Sequence, residues 1–185
     1  GNCFVMPEWL DRTQTSTEAV KIGFVGPSIR RISPLDIVFN PVAASFTDSP
    51  KIIRSLVSIG EVKNIINSNA IPVEEKDTAL ELYDYMTGIR RQVAAFNGSA
   101  ETRDTLFRMA GFQDFQNYLG SNYVEVLTFY GDAYDPDSDT LLRNYEIKIV
   151  DRHKVLCKRP NPSYFGAAPI YHAGWRMRPD NLWAM

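Results

Sequence analysis

The sequence predicts an α+β fold, with a mainly antiparallel β body at both ends of the chain and a helical insertion of about 75 residues between them. Short apolar runs bounded by proline and glycine indicate strands in residues 1–45. Capping signals and a 3.6-residue apolar period indicate helices in residues 46–120, and alternation with a period of two returns in residues 121–185. We therefore expect one domain over residues 1–185, built from a β segment, a helical subdomain and a second β segment.

The first β segment contains three candidate strands. They are apolar or β-branched runs whose neighbours are prolines and Gly26, at residues 2–6, 19–25 and 36–39. Pro7, Gly26 and Pro27 flank the first two strands and are expected to bound them.

The helical subdomain begins with a capping signal. Ser58 and Glu61 have the spacing of a capping box, and Val57 with Val62 supplies the matching hydrophobic staple. A helix is therefore expected to start at Ile59.

The strongest helix is predicted to start near Val73. Its apolar stripe recurs at spacings of 3, 4, 3, 4 and 3 through Ala79, Leu82, Met86, Ile89, Val93 and Phe96. Ser99 then caps a helix that runs through Met109 and ends at Gly111, and a shorter helix reaches Leu119.

The second β segment starts after Gly120. Residues 123–130 and the alternating Tyr145, Ile147 and Ile149 predict a hairpin across the turn at residues 132–140. Residues 154–158 and 168–175 are predicted to be further strands.

The composition excludes several classes of protein. With 44% hydrophobic and 12% aromatic residues the chain can bury a core, and its net charge of −2 excludes the balance of a strongly basic nucleic-acid binder. No apolar run reaches the length of a membrane helix, and the N-terminus lacks a signal-peptide pattern, so we expect no membrane partner. The apolar last residues, 182–185, suggest a cut through a longer polypeptide.

The two cysteines, Cys3 and Cys157, form neither a CxxC motif nor a Cys/His cluster. We expect reduced thiols in the core of a protein assembled in the cytoplasm, with a single distant disulfide as the alternative.

The acidic turn at residues 135–139 resembles a calcium loop in part. Asp135, Asp137 and Asp139 occupy its positions 1, 3 and 5, and Glu146 its position 12. Position 6 is Thr140 where the sharp turn requires glycine, and a strand follows where a helix is needed. Aspartate, proline and serine also suit an ordinary hairpin turn, which is the favoured interpretation.

Other catalytic patterns are absent from the sequence. The two histidines, His153 and His172, are expected in a solvated turn and in a half-buried strand position, respectively. No nucleophile elbow, phosphate-binding glycine loop or HExxH motif occurs. We therefore expect no enzyme and no cofactor.

Positive charge is concentrated near the C-terminal end. Between Arg143 and Arg178 there are eight lysines or arginines and two acids. The candidate phosphate or subunit contacts are Lys154, Lys158, Arg159, Arg176 and Arg178. The alternative is an ordinary solvent face with edge-protecting cations, which is favoured over direct DNA contact.

Three segments follow one another in an order that suggests a family. They are the residues Arg30–Pro41, Val126–Asp132 and His172–Trp183. Together they resemble the portal, or head-to-tail connector, proteins of tailed and especially short-tailed bacteriophages. The similar part precedes the portal's stem helix and corresponds to its wing region.

The resemblance implies a structural virion protein with no enzymatic activity. Portals form closed rings, usually of twelve subunits, at one capsid vertex. Double-stranded DNA passes through the ring during packaging and ejection, the terminase motor drives it, and tail adaptors dock on the portal. The implied location is the portal vertex of the virion, assembled in the host bacterial cytoplasm. The stem, clip and crown would lie outside this chain.

Two other functions remain open from the sequence. Another neck or tail adaptor of the virion would share the aromatic-rich α+β character. A metal-dependent hydrolase or calcium-stabilised module would use Asp135, Asp137 and Asp139.

Overall fold

The computed structural model describes residues 2–15, 20–40, 42–43, 45–47, 49–67, 71, 76–88, 100–136, 138–163 and 167–174. The elements in these ranges are, in order, β1 (Asn2–Thr15), β2 (Val20–Ile32), β3 (Ile37–Phe39), β4 (Lys51–Ser58), α1 (Ile59–Asn67), α2 (Lys76–Thr87), α3 (Ala100–Met109), α4 (Phe115–Leu119), β5 (Tyr123–Asp135), β6 (Thr140–Val150), β7 (Lys154–Pro160) and β8 (Tyr171–Gly174). Strands lie at both ends and helices between them, so the predicted α+β class is confirmed.

The strands form two sheets. One has the order β2-β1-β8 and the other the order β3-β4-β5-β6-β7. The chain divides into two compact units. Unit 1 contains Gly1–Ile53, Tyr130–Asn144 and Asn161–Met185, and unit 2 contains Arg54–Phe129 and Tyr145–Pro160.

In unit 1, β1 and β2 form a hairpin longer than the sequence predicted. Its antiparallel register runs from Phe4 opposite Ile32 to Thr15 opposite Val20. Pro7 and Pro27 lie inside these strands, so the expectation that they end them is wrong. Proline has no backbone N–H, but Pro7 and Pro27 lose no sheet hydrogen bond. This is because β2 is an edge strand of the described sheet and β8 pairs only with Asn2–Val5 of β1.

The core of unit 1 is aromatic at its centre. Phe4 packs between Phe39 and Phe46, with ring centroids 5.7 Å from each. The other buried residues of this core are Ile32, Ile37, Ile53, Tyr130 and Ile170. This cluster anchors the base of the β1–β2 hairpin.

In unit 2, α1 and α2 contribute to the larger of two cores. The predicted stripe residues Ala79, Leu82 and Met86 are buried there, together with Val62, Ile66, Ile71, Tyr85, Val124, Val126, Val150, Leu156 and Cys157. The stripe residues Ile89, Val93 and Phe96 lie outside the described residues. A second cluster joins α3 and α4 through Phe107, Phe115, Tyr118 and Leu119.

The predicted start of α1 is confirmed. The Ser58 backbone N–H donates to Glu61 Oε2 at 2.7 Å, and the Glu61 N–H donates to Ser58 Oγ at 3.2 Å. This reciprocal pair is the capping box that the spacing indicated. The residues just before it need correction: Lys51–Ser58 form a strand, although they fell in the segment predicted to be helical. Antiparallel pairing with β3, such as Ile53 opposite Ile37, determines their conformation.

The end of α3 is also as predicted. Gly111 has φ +96°, the left-handed conformation that favours glycine. The Phe112 N–H donates to the Phe107 carbonyl at 3.0 Å and the Gly111 N–H to the Arg108 carbonyl at 3.0 Å, which is a Schellman motif. The Phe107 and Phe112 rings meet at 6.2 Å and supply its hydrophobic contact.

Both cysteines are free thiols, as favoured from the sequence, but only one is in a core. Cys157 is buried and Cys3 is exposed. A β-bulge in β7 explains the burial of Cys157. The register with β6 shifts between Lys148 and Ile149, which brings Leu156 and Cys157 into the core as consecutive residues.

Candidate functional site

Three of the five candidate basic residues lie on β7, the edge strand of the five-stranded sheet as described. Lys154 and Lys158 are exposed, and Arg159 is half-buried. Arg176 and Arg178 lie outside the described residues.

The bulge in β7 separates the two lysines. Lys154 pairs with Val150 and Lys158 with Ile147, on opposite sides of the register shift. Val150 and Ile147 point to opposite faces of β6, since they are three positions apart. The structure therefore assigns Lys154 and Lys158 to opposite faces of the sheet and does not bring them together.

Arg159 is bound within its own unit. Its Nε lies 2.6 Å from Oε2 of the buried Glu146, and Lys148 Nζ lies 3.6 Å from Glu146 Oε1. Arg159 therefore has a structural role, because its cross-strand ion pair holds β6 and β7 together.

The acidic turn joins β5 and β6, as the predicted hairpin requires. Asp135 accepts a hydrogen bond from Ser138 Oγ at 2.9 Å, and Asp139 accepts one from the Tyr134 hydroxyl. Asp139 has φ +51°, a conformation that aspartate tolerates in turns. Asp137 lies outside the described residues. Among the described residues, no group of three or more metal-ligating side chains is close enough to hold a metal ion.

The two histidines have the environments expected from the sequence. His153 is exposed in the turn before β7. His172 is half-buried in β8, with Nε2 3.0 Å from Asn2 Oδ1 and its ring 5.0 Å from that of Phe4. Burial lowers the pKa of His172 below its usual value, because the apolar surroundings disfavour the charged imidazolium.

A cavity of about 440 Å³ in unit 1 has a mixed polar lining that includes Lys51, Asp132 and Asn144. Lys51 Nζ donates to the carbonyls of Thr47 and Ser49, at 3.1 and 2.8 Å. The Asn144 N–H donates to Asp132 at 2.8 Å. These polar groups therefore hold the walls of the cavity together.

Among the described residues of unit 2, a cluster of charged side chains surrounds Glu125, which is fully buried in β5. Arg54 Nε of β4 lies 2.7 Å from Oε1. Arg152 donates through Nε to Oε2 at 2.8 Å and through Nη2 to Oε1 at 3.1 Å. Arg103 of α3 is the third cation, with Nη2 4.0 Å from Oε2. One carboxylate thus joins two strands, a turn and a helix.

Aromatic rings complete the shell around this cluster. The Arg54 guanidinium lies 5.1 Å from the Phe107 centroid, and that of Arg103 lies 4.4 Å from the Phe115 centroid. Burial alone would raise the pKa of Glu125. Hydrogen bonds from Arg152 and Arg54 outweigh it and lower the pKa below the ordinary value. The cluster is therefore held in its charged form.

The turn that carries Arg152 is attached to the same cluster. Asp151 and Arg152 have φ values of +51° and +61°, and the His153 N–H donates to the Val150 carbonyl at 3.0 Å. This is a β-turn with positive φ at both central residues and no glycine, within the three-residue connection 151–153 between β6 and β7. Asp151 donates its N–H to the Glu125 carbonyl at 2.9 Å and accepts a hydrogen bond from the Tyr118 hydroxyl. These two hydrogen bonds offset the strain of the left-handed backbone conformation at Asp151 and Arg152.

Sequence reasoning missed this cluster. Its ionic members, Arg54, Arg103, Glu125 and Arg152, are far apart in the chain and follow no local spacing. The one available signal was Glu125 itself, a single acid within the apolar residues 123–130.

Comparison with known proteins identifies no family. No protein-family model matches the chain, and no curated protein matches it. None of the helices in the described part of the chain is both long and apolar enough to cross a membrane.

Proposed function

We propose that this chain is a structural, non-enzymatic part of a bacteriophage portal ring, corresponding to its wing region. The observation that carries the proposal is the order of the three portal-like segments along the sequence. The first covers the end of β2, a turn and β3, the second lies in β5, and the third begins in β8.

Residues of the first segment make hydrogen bonds that fix its conformation. The Asp36 N–H donates to the Ser33 carbonyl at 2.9 Å and closes the turn that contains Pro34. Asn40 then donates its N–H to Ser49 Oγ at 2.8 Å and accepts the Val42 N–H at 3.0 Å. A short proline-rich segment is thereby fixed between two strands, which suits a rigid assembly part.

Two sheet edges of different character also support an assembly role. In the described residues, β2 is an edge that exposes several apolar side chains and two arginines, and β7 is an edge that exposes two lysines and Val155. Head-to-tail contacts in a closed ring join two different surfaces of each subunit. A chain with two dissimilar edges meets that requirement.

In the proposed mechanism the wing acts through its geometry. Copies of the portal subunit form a ring at one capsid vertex, and the wing holds the outer flank rigid while DNA passes through the channel. The terminase motor supplies the energy of translocation, and the tail adaptor binds the assembled ring.

Negative-stain electron microscopy of the full-length product of the coding sequence tests the proposal. We expect rings with a central channel. Monodisperse monomers or small globular dimers at every salt concentration would contradict it and would favour a neck or tail adaptor.

A further inference from the structure

Arg103, on α3, is a buried cation whose hydrogen bonding is incomplete. Its side chain is only 9% exposed, and its Nε is buried with no hydrogen-bond partner among the described residues. Its guanidinium lies 4.4 Å from the centroid of the Phe115 ring, which stabilises the charge but does not replace a hydrogen-bond acceptor. Buried polar groups are almost always hydrogen-bonded, so an unsatisfied N–H on a buried charged group is typical of a site for a ligand or a water molecule.

Of the acids that the structure describes, only Glu125 lies within ion-pair distance of Arg103, and this contact is long. Arg103 Nη2 lies 4.0 Å from Glu125 Oε2, which is beyond hydrogen-bonding distance. The same carboxylate already accepts three hydrogen bonds, two from Arg152 and one from Arg54. Arg103 is therefore the cation that this carboxylate contacts most weakly.

Asp104 and Asp151, each next in sequence to an arginine of the cluster, bind other groups. Asp104 pairs with Arg108, whose Nε lies 2.9 Å from Asp104 Oδ2. Asp151 accepts a hydrogen bond from the Tyr118 hydroxyl. Neither carboxylate lies within ion-pair distance of Arg103, so the described part of the chain gives the charge of Arg103 no hydrogen-bonded counter-ion.

The exposure of the three arginines limits the size of a ligand. The Arg152 side chain is 40% exposed, whereas those of Arg54 and Arg103 are 13% and 9% exposed. The cluster therefore borders solvent at Arg152, and its other two cations are nearly covered. A side chain with so little accessible surface admits a small anion but not a bulky one, such as a phosphate ester or an acidic segment of another protein.

We propose that unit 2 binds a small monovalent anion, such as chloride, at the Nε of Arg103. The anion accepts the Nε–H and provides a hydrogen-bonded negative charge for this buried guanidinium. A water molecule accepts the same N–H without adding charge, so it leaves the buried cation without that compensation. The bound anion stabilises the packing of α3 beside β4 and β5. This site is independent of the proposed ring function.

Chloride is therefore expected to stabilise the folded protein beyond its general effect as a salt. A ligand that binds only the folded state raises the folding equilibrium constant about elevenfold when its concentration is about ten times its Kd. For a chain of this size, that change corresponds to a rise of about 3–6 °C in the melting midpoint.

Thermal melts in sodium chloride and in sodium gluconate at equal ionic strength measure this effect. Gluconate has the same charge but is too bulky to reach Arg103, and it keeps the screening of surface charges constant. The wild type is expected to melt at a higher temperature in chloride. Arg103→Met removes the donor and the charge but keeps an unbranched side chain against Phe115, so its midpoint should be the same in both salts. Arg108→Met removes an exposed arginine of the same helix and should respond to chloride like the wild type.

Two further measurements detect the bound anion directly in the wild type and do not depend on a variant that folds. The NMR signal of chloride is expected to broaden when the protein is added, because bound and free ions exchange. Crystals grown in bromide, a heavier halide of the same charge, are expected to show an anomalous scattering peak within hydrogen-bonding distance of Arg103 Nε. The peak would place the anion at the proposed donor.

Three outcomes would overturn the inference. A wild type with the same midpoint in chloride and in gluconate would show that no chloride binds and that water satisfies the Arg103 N–H. A chloride response that Arg103→Met retains in full would assign the binding to another site. Wild-type crystals grown in bromide without a peak at Arg103 would exclude the site whether or not Arg103→Met folds.

Discussion

Arg152 forms a bidentate ion pair with Glu125, with Nε 2.8 Å from Oε2 and Nη2 3.1 Å from Oε1. The pair joins a left-handed hairpin turn to a fully buried carboxylate in β5. Arg54 and Arg103 contact the same carboxylate from β4 and α3. One buried carboxylate of β5 therefore connects β4, α3 and the turn before β7.

Replacing Glu125 is expected to destabilise the protein strongly. Glu125→Gln removes the buried carboxylate that Arg54 and Arg103 contact, and breaking a buried ion pair from one side costs about 3–5 kcal/mol. Urea denaturation measures the change in the free energy of unfolding. Glu81→Gln, at an exposed position of α2, is the matched control and is expected to change it by less than about 0.5 kcal/mol. Equal effects at both positions would contradict the role of the cluster.

The same carboxylate makes the protein sensitive to acid. The pKa of Glu125 is lower in the folded state than its ordinary value of 4.5, so the unfolded chain takes up the proton first as the pH falls. Its stabilising effect is present above pH 4.5 and is lost as the pH falls through the folded-state pKa. Denaturation at a series of pH values should show the difference between wild type and Glu125→Gln shrinking in that range. A constant difference would contradict the ion pairs.

Two variants of the turn residue Asp151 separate the effect of its negative charge from that of its backbone conformation and hydrogen bonding. Asp151→Asn keeps a residue type that tolerates positive φ and can still accept the Tyr118 hydroxyl, so its effect should be small. Asp151→Ala loses both advantages and is expected to cost about 2–4 kcal/mol. Thermal and urea denaturation of the two variants should rank them in this order. Equal losses would show that the negative charge, rather than geometry, matters at this position.

Calcium is expected to leave the protein unchanged. Asp135 and Asp139 accept hydrogen bonds from Ser138 and Tyr134 inside the turn, which is the behaviour of an ordinary hairpin. A thermal melt in calcium and in a chelator should give the same midpoint. A calcium-dependent rise that Asp135→Asn removes would instead support the calcium-loop alternative.

Local signals made the helices predictable. The capping box at Ser58 and Glu61 and the glycine stop at Gly111 each depend on residues a few positions apart, and both form as expected. The apolar stripe through Ala79, Leu82 and Met86 is likewise a property of a single helix, and these residues are buried.

Strand pairing and the charged cluster were not predictable in the same way. The apolar pairs of β4 fit a helical spacing, and only pairing with residues far away, as between Ile53 and Ile37, makes the segment a strand. Pro7 and Pro27 are tolerated because of where the sheet edges lie, which no local pattern encodes. The partners of Glu125 come from other elements, so the cluster exists only in the folded chain.

His172 should make unit 1 less stable in mild acid. Burial lowers its folded-state pKa below the ordinary value of 6.5, so protonation favours the unfolded chain. The contribution of neutral His172 to the stability of the fold is fully present above about pH 6.5 and is lost as the pH falls through the folded-state pKa. Hydrogen exchange of β8, measured between mild acid and neutral pH, should show this loss in the wild type. His172→Gln should remove it, because glutamine can contact Asn2 without titrating. His153→Gln, in the exposed turn before β7, is the control for losing an imidazole and should retain it. An unchanged pH dependence in His172→Gln would assign the effect to another group.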